Sequence, residues 1–315
     1  DSIDLSIQEL NLDPSQIFIL GFSQGAALSL YTGLTDPKKY KGIIALSGCI
    51  SIQEFEHEID LDHIRDDLAE VKERHDIGLD DRRPDAVAKR RGREQRTARE
   101  NIADLVNTES FIEYGPLVVA PQRKRRSVED LILNTPADGM IAGIGEVNAD
   151  TFPEEKAQCV VMSYDYTVLA GTQGGQNHRK KDRLFEIAKR WKLPVIFFTE
   201  GGGGRPGDTD GMQVAGLDCL AFGLWADLSG IVPLVGINSG YCFAGNAAIL
   251  GCCDVIIATE NSNIGMGGPA MIEGGGLGVY QPADIGPMDV QTQNGVVDIL
   301  VKDEEEAVAV AKKYL

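Results

Sequence analysis

Short apolar runs alternate with amphipathic segments along most of the chain. Runs of this kind, bounded by glycine, proline or polar residues, are typical of buried β-strands, and a 3.6-residue apolar period is typical of helices. The runs predict strands over residues 16–22, 40–50, 110–121, 139–147, 159–169, 193–200, 231–239 and 254–259. Helices are predicted over residues 23–34, 176–191, 216–229, 245–253 and 303–315. Alternating strands and helices predict an α/β fold.

The pattern changes character twice. Residues 54 to about 107 are charged, rich in predicted helix, and contain few long apolar runs. Strands and helices alternate again from Phe111 onward. We therefore expect three regions: a strand–helix–strand piece at 1–53, a charged helical region at 54–110 and an α/β domain at 111–315.

Composition narrows the class of partner. The apolar share of 43% and the charged share of 25% are those of an ordinary globular protein. A net charge of −18 argues against nonspecific nucleic-acid binding by the whole molecule. The acidic balance is uneven, however, since the segment from Arg82 to Arg126 has twelve basic and six acidic residues. That segment could still contact an anionic ligand.

The cysteines and the hydropathy pattern indicate a cytoplasmic protein without a metal site. None of the six cysteines forms a C-x-x-C pair, and several lie inside apolar runs, so reduced core thiols are expected. No apolar run reaches the roughly 18 residues of a membrane span, and no signal peptide is visible. We therefore predict neither a disulfide framework nor a zinc site nor membrane insertion.

Gly21-Phe22-Ser23-Gln24-Gly25 matches the G-x-S-x-G nucleophile elbow of α/β-hydrolases. Residues 1 to about 52, and the stretch 21–50 in particular, resemble an internal fragment of the acyl-protein thioesterase and carboxylesterase family. A working site also needs an oxyanion loop from upstream strands and a histidine after the serine. Residues 1–22 leave no room for that loop, and three of the four histidines fall in the charged helical segment. We expect Ser23 to be the nucleophile position of an incomplete hydrolase fragment.

Two glycine turns carry the more informative pattern. The first follows an apolar run in "PVIFFTEGGGGRPG", and the second precedes a short predicted helix that begins near Gly245 and Asn246. Gly202, Gly204 and Gly207 satisfy G-x-G-x-x-G, but Pro206 and the polar loop after it disfavour a dinucleotide-binding helix. The free N–H groups of a helix start carry partial positive charge. Together the two turns predict an oxyanion hole for a thioester.

Several separate motifs resemble the crotonase superfamily, and within it the N-terminal half of the carboxyltransferase component of biotin-dependent acyl-CoA carboxylases. The segments that carry the resemblance are "EQRTARENIADLVNTESFIEYG", "SYDYTVLAGTQGGQNHRKK", "TEGGGGRPG", "CFAGNAAILG" and "IGPMDVQTQNGVVDILVKDEEEAVAVAKKYL". The resemblance as a whole extends over residues from about 55 to 315. The resemblance implies a crotonase-like spiral fold of repeated ββα units, preceded by the hydrolase fragment.

The resemblance also implies roles for individual residues. Backbone groups of Gly203, Gly204, Gly245 and Asn246 would stabilise the thioester oxygen of an acyl-CoA such as acetyl- or propionyl-CoA. Asn246 stands where many members of the family have glycine, and its side chain could narrow the hole. Residues implied to bind CoA are Gly171, Gly174, His178, Lys180 and Arg205. The basic residues among His178–Lys181 would hold its phosphates or, alternatively, form a solvated helix face.

The implied reaction needs partners. Carboxybiotin on a carrier component would deliver the carboxyl group, and the enzyme would include a biotin carboxylase and a second carboxyltransferase half, in a homo-oligomer. That second half is not in this chain, and the cysteines of the zinc ribbon found in separate-subunit enzymes are missing too, so a fused-type enzyme is indicated. One alternative is a crotonase-type acyl-CoA hydratase or hydrolase that uses Glu260 or Glu273. Another is a noncatalytic assembly subunit.

Overall fold

The computed structural model describes residues 18–22, 42–46, 66–210 and 220–315, and contacts divide the chain into two compact units, Asp1–Glu70 and Val71–Leu315. In the first unit, β1 (Phe18–Phe22) pairs in parallel with β2 (Gly42–Leu46). Both strands lie within predicted apolar runs. Ser23 and the helix predicted over 23–34 lie outside the described residues.

The second unit is built on a mixed sheet of seven strands in the order β11-β9-β7-β6-β5-β4-β3. These strands are β3 (Ile112–Glu113), β4 (Met140–Glu146), β5 (Gln158–Tyr164), β6 (Val195–Phe198), β7 (Leu234–Asn238), β9 (Val255–Thr259) and β11 (Ile299–Val301). β4 pairs antiparallel with β3 and β5, and the remaining pairs are parallel. The predicted α/β class is therefore confirmed.

A smaller second sheet lies beside the ends of the central strands. β8 (Tyr241–Phe243) pairs in parallel with β10 (Asn263–Gly265), and Gly201 after β6 forms a single parallel bridge to Cys242. The chain thus repeats one path: β7 and then β9 in the large sheet each lead to a short strand in the small sheet and then to a helix. This path brings the turns after β6 and β8 together.

The described helices are α1 (Asp66–Asp76), α2 (Pro84–Arg91), α3 (Ala98–Leu105), α4 (Val128–Asn134), α5 (Glu154–Ala157), α6 (Gly175–Trp191), α7 (Ala221–Ala226), α8 (Gly245–Leu250), α9 (Pro269–Gly274), α10 (Met288–Gln291) and α11 (Glu304–Tyr314). The predicted helices over 176–191 and 303–315 are confirmed. None of the described helices is both long and apolar enough to cross a membrane.

The prediction of a strand over residues 110–121 is wrong for most of that run. Only Ile112–Glu113 pair with the sheet, and an irregular segment follows. Gly115 has a φ of +61°, which leaves the extended region, and Pro116 has no N–H to donate to a ladder. The apolar residues of this segment are half-buried against the domain without forming a strand.

Helices cover both faces of the large sheet. α3 and α11 pack with the face that includes Ile196 and Ile257, while α6 and α7 pack with the face that includes Phe197. Thr97 and Glu100 begin α3 with a reciprocal capping box, which the sequence "TARE" encodes. Because both faces are covered, the ends of the strands are where the sheet can present backbone groups to a ligand.

Candidate active site

The two glycine turns predicted from the sequence lie against each other at the carboxyl end of β6. Gly201 N donates to the Tyr241 carbonyl at 2.7 Å, and Phe243 N donates to the Gly201 carbonyl at 2.9 Å. A Cβ added to Gly203 would lie 2.7 Å from the Cβ of Ala244 and 3.5 Å from the N atom of Gly245. Only glycine fits this contact. The first turn and the start of α8 therefore form one continuous wall.

The N–H of Gly204 points away from the Gln173 segment that pairs with the first turn. Gln173 N donates to the Gly203 carbonyl at 2.7 Å, and in a trans peptide the following N–H points the opposite way from that carbonyl. The Gly204 N–H has no acceptor among the described residues. A Cβ added to Gly204 would meet no described atom within 4 Å. Gly204 thus offers a fixed backbone donor.

The N–H of Gly245 is the second open donor. The Ala244 carbonyl accepts from Ala248 N at 2.9 Å inside the helix, so the Gly245 N–H points out of the start of α8. It too has no acceptor in the described part of the chain. Ala244 holds a φ of +52° and a ψ of −120°, which is unusual for a residue with a Cβ. Backbone strain of this kind often accompanies a functional turn.

The side chain of Asn246 lies beneath the first turn. It is fully buried. Its Oδ1 accepts from Gly203 N and from Gln173 Nε2, each at 3.1 Å, and its Nδ2 donates to the Gly171 and Thr199 carbonyls, each at 3.2 Å. The Gly203 N–H is therefore already engaged, unlike the open donor that the resemblance implied.

Lys180 is buried and His178 is half-buried at the start of α6. Lys180 donates through its Nζ to the carbonyls of Met140, Gly115 and Ala137. Burial lowers its pKa to about 8. Burial, reinforced by the nearby charge of Lys181, lowers the pKa of His178 to about 3, so its ring is neutral near pH 7.

The Arg205 side chain is bound to other residues inside the protein. Its guanidinium forms an ion pair with Asp138, whose side chain is wholly buried, and its Nη2 donates to the Thr172 carbonyl at 3.0 Å. A Cβ on Gly174 would lie 2.2 Å from Arg205 Nη1, and one on Gly171 would lie 2.5 Å from the Glu200 carbonyl. These residues thus pack against one another beside the first glycine turn.

A buried polar group behind the turns could not be recognised from the sequence. Lys181 is fully buried, and its Nζ donates to Gln173 Oε1 at 2.7 Å and to the Tyr164 hydroxyl at 3.0 Å. Nearby, Arg90 Nη1 lies 2.7 Å from Glu200 Oε2, and burial raises the pKa of Glu200 to about 7. In the sequence, Lys181 belongs to a run of charged residues that is typical of an exposed helix face.

Other candidate residues are not drawn into the site. Glu260 follows β9 and is exposed, and Glu273 is exposed on α9. Neither forms a described contact with the glycine turns. Within the described part of the chain, no group of three or more His, Cys, Asp or Glu side chains is arranged to hold a metal ion. Open backbone N–H groups are therefore the chemistry that this site presents.

The second unit is thus a mixed α/β domain in which two touching glycine turns at strand ends carry backbone N–H groups without described acceptors. The profile of the carboxyl transferase domain family matches residues 89–315, so the chain belongs to that family. A second profile, that of the phospholipase/carboxylesterase family, matches residues 1–63. The predicted resemblance to carboxyltransferases is confirmed, and the prediction of a hydrolase-like segment agrees with the second match.

Solved structures and curated relatives agree on the family. A single-chain, multi-domain long-chain acyl-CoA carboxylase superimposes with a TM-score of 0.77 and 62% identity, covering 80% of this chain and 25% of that one. The transcarboxylase 12S hexamer superimposes with a TM-score of 0.63 and 25% identity, covering 78% of this chain and 45% of that one.

Among curated proteins, the methylmalonyl-CoA carboxyltransferase 12S subunit of Propionibacterium freudenreichii subsp. shermanii is 28% identical over 79% of this chain and 45% of its own length. The propionyl-CoA carboxylase beta chain of Saccharopolyspora erythraea is 25% identical over 73% of this chain and 40% of its own length. The chain thus spans less than half the length of these relatives.

Proposed function

We propose that this chain supplies the acyl-CoA half-site of the carboxyltransferase in a biotin-dependent acyl-CoA carboxylase. The observation that carries the proposal is the pair of open N–H groups on Gly204 and Gly245, at two turns that contact each other. Membership in the carboxyl transferase domain family supports it. So do the relatives, whose names specify methylmalonyl-CoA, propionyl-CoA and long-chain acyl-CoA.

The two donors act on the thioester oxygen of the substrate. When a proton leaves the α-carbon of the acyl group, negative charge develops on that oxygen, and donors fixed in advance stabilise it. Each such donor contributes about 2.7–4 kcal/mol to transition-state stabilisation in a well-studied case. Biotin, when present on a partner, carries the carboxyl group for transfer. We assign no described residue to biotin, because the two open donors suit a single carbonyl oxygen.

The other predicted site residues have supporting parts in this proposal. Gly203 and the side chain of Asn246 hold the first turn, while the Asn246 N–H lies in the first turn of α8 beside the Gly245 donor. Gly171 and Gly174 permit close packing next to the turn. Arg205, Lys180 and His178 support the CoA side of the site by structure and shape, without donating charge to phosphate.

The proposal extends to fold and assembly. The repeated path through β7, β8 and α8 and through β9, β10 and α9 supports a crotonase-like spiral of ββα units. We assign residues 1–53 to the hydrolase-like piece, 54–110 to a helical entry region and 111–315 to the acyl-CoA domain. Proposed partners are a second carboxyltransferase half, a biotin carboxyl carrier and a biotin carboxylase, in a homo-oligomer. The four described cysteines are free thiols, which supports a cytoplasmic location.

Calorimetric titration of the chain with acetyl-CoA, propionyl-CoA and free CoA tests the proposal. Two variants form a matched pair. Gly204→Ala adds a Cβ where no described atom lies within 4 Å and keeps the N–H, whereas Gly204→Pro removes the N–H. We expect the alanine variant to bind acyl-CoA like the parent and the proline variant to bind it at least about fivefold more weakly. Free CoA, which has no thioester carbonyl, should bind both variants equally.

Two results would contradict the proposal. One is a folded parent chain that binds neither acyl-CoA. The other is a proline variant that keeps the full preference for acyl-CoA over free CoA. Circular dichroism and thermal melting of each variant establish that it is folded before affinities are compared.

A further inference from the structure

We infer that Lys181, Gln173 and Asn246 form a buried, directional hydrogen-bond chain that positions the two backbone donors, which makes them positioning residues for the carboxyltransferase half-site. The inference rests on the proposed function, since it concerns the same two N–H groups. The chain runs from Lys181 Nζ to Gln173 Oε1 at 2.7 Å, from Gln173 Nε2 to Asn246 Oδ1 at 3.1 Å, and from Gly203 N to Asn246 Oδ1 at 3.1 Å.

Backbone groups determine how both amides are turned. The Gly171 and Thr199 carbonyls accept and therefore require the Asn246 NH₂ group, and the Gly203 N–H requires Asn246 Oδ1. The Gln173 atom that faces Asn246 Oδ1 must then be Nε2, which leaves Gln173 Oε1 to accept from Lys181 Nζ. Every member of the chain has one orientation.

The hydrogen-bond chain links the residues that hold the two backbone donors in place. Gln173 contacts both turns, since its backbone N donates to the Gly203 carbonyl at 2.7 Å and its side chain donates to the Asn246 amide oxygen. Asn246 belongs to the first turn of α8, directly after the Gly245 donor. Its side chain therefore ties the start of this helix to the turn that carries Gly204. If the amide turned over, two carbonyls and the Gly203 N–H would lose their partners at once.

Burial makes this arrangement stiff. Lys181 and Asn246 are completely inaccessible to solvent and Gln173 is nearly so, and the ammonium also donates to the Tyr164 hydroxyl at 3.0 Å. Hydrogen bonds in a low-dielectric interior are stronger, and an unsatisfied group there is costly. A donor pair held this way needs little reorganisation when charge develops on the substrate oxygen, which is the condition for electrostatic stabilisation.

Gln173→Glu is the informative variant. It keeps an oxygen for Lys181 but replaces the Nε2 donor with a second oxygen that faces Asn246 Oδ1. The hydrogen bond from residue 173 to Asn246 is therefore lost. Gln173→Met removes both polar atoms at a similar side-chain length. Gln176→Glu is the matched control, because it adds the same charge in the first turn of α6 outside the chain of hydrogen bonds.

The readout is the ratio of affinities for acetyl-CoA and free CoA, together with the infrared carbonyl stretch of bound [1-¹³C]acetyl-CoA. We expect the Gln173 variants to lose about fivefold to tenfold of the ratio and to shift the stretch back toward its value in water, with unchanged affinity for free CoA. Gln176→Glu should behave like the parent. A role in stability alone would lower the melting temperature without changing the ratio or the stretch.

The outcomes separate the two proposals. If the parent chain itself shows no preference for acetyl-CoA over CoA, the proposed function fails. If the parent shows the preference and a folded Gln173 variant keeps it in full, the positioning role is overturned. Loss of folding in both Gln173 variants would assign the residue to stability alone and would also overturn the inference.

Discussion

The guanidinium of Arg205 and the carboxylate of Asp138 form an ion pair that is almost wholly buried, with side chains 2% and 0% exposed. The other carboxylate oxygen of Asp138 accepts from the N atoms of Gln176 and Asn177 at 3.0 and 2.9 Å. The pair therefore joins the end of the first glycine turn to the start of α6. Arg205 thus has a structural partner inside the fold, whereas the family resemblance implies that it binds CoA.

Removing one partner of this pair should destabilise the protein strongly. Arg205→Met leaves the Asp138 carboxylate buried without its cation, and such losses typically cost about 3–5 kcal/mol. Urea denaturation measures the change. Arg123→Met is the control, because Arg123 is 65% exposed in its pair with Asp210 and should contribute less than about 1 kcal/mol. Equal effects of the two substitutions would show that the buried Arg205–Asp138 pair stabilises the protein no more than the exposed Arg123 pair does.

A methyl group at Gly201 should disrupt the joint between the turns. An added Cβ would lie 2.2 Å from Asn246 Nδ2 and 2.3 Å from the Gly171 carbonyl, and the second of these is backbone that cannot move aside cheaply. We expect Gly201→Ala to cost at least about 1–3 kcal/mol in unfolding free energy and to weaken acyl-CoA binding.

Gly223→Ala is the matched control for that substitution. Gly223 is exposed in α7, and its added Cβ would meet no described atom within 4 Å. Alanine in a helix interior is favoured over glycine by about 1 kcal/mol, so this variant should be slightly more stable than the parent. Urea denaturation measures the free energy of unfolding of both variants. A Gly201→Ala protein as stable as the parent would contradict the packing described for the turns.

The large sheet was predictable because its strands are short apolar runs that end in glycine or polar residues. The small sheet was not, since β8 and β10 have three residues each and show no period long enough to detect. The same reasoning explains the failure over 110–121, where apolar composition favoured a strand but Gly115 and Pro116 prevent one. The backbone properties of these two residues therefore determine that the segment is irregular.

The glycine turns were predictable from their positions after strands, but the groups behind them were not. Asn177, Lys180 and Lys181 are polar residues on α6 that an amphipathic pattern assigns to solvent. All three are buried because the first two turns of this helix enter the domain and satisfy carbonyls and amides of other segments. Partners that are distant in sequence, such as Gln173 and Asn246, cannot be recognised from one chain by spacing.

Glu200 should make stability depend on pH. Burial raises its pKa from 4.5 to about 7 despite the opposing effect of Arg90, so the folded state binds a proton more tightly than the unfolded state. Its contribution to stability is therefore full below about pH 4.5 and is lost as the pH rises through about 7. The slope is at most about 1.4 kcal/mol per pH unit for one proton.

Urea denaturation of the parent and of Glu200→Gln at pH 5.5 and 7.5 measures this contribution. The stability advantage of the parent over the variant should shrink between the two pH values. Glu155→Gln, which changes an exposed carboxylate on α5, should show a constant difference. An advantage that stays constant or grows with pH for Glu200→Gln would contradict the raised pKa.

His178 should remain neutral throughout the physiological range. Burial, together with the charges of Lys181 and Arg205, lowers its pKa from 6.5 to about 3. The unfolded state therefore takes up a proton that the folded state does not, and the contribution of His178 to stability is lost as the pH falls from 6.5 toward 3. The stability advantage of the parent over His178→Gln should accordingly be smaller at pH 5 than at pH 7.5.

Long-range ¹H–¹⁵N spectra of the histidine rings test the same point directly, with the His178 signals assigned by their loss in His178→Gln. We expect its ring nitrogens to keep neutral-form shifts from pH 8 to pH 5. A titration with a midpoint near 6.5 would contradict the buried environment of the ring, which packs edge-on to Phe222 at a centroid distance of 6.3 Å. It would also return His178 to the set of cations available for CoA phosphates, because a ring that gains a proton near neutral pH can pair with an anion.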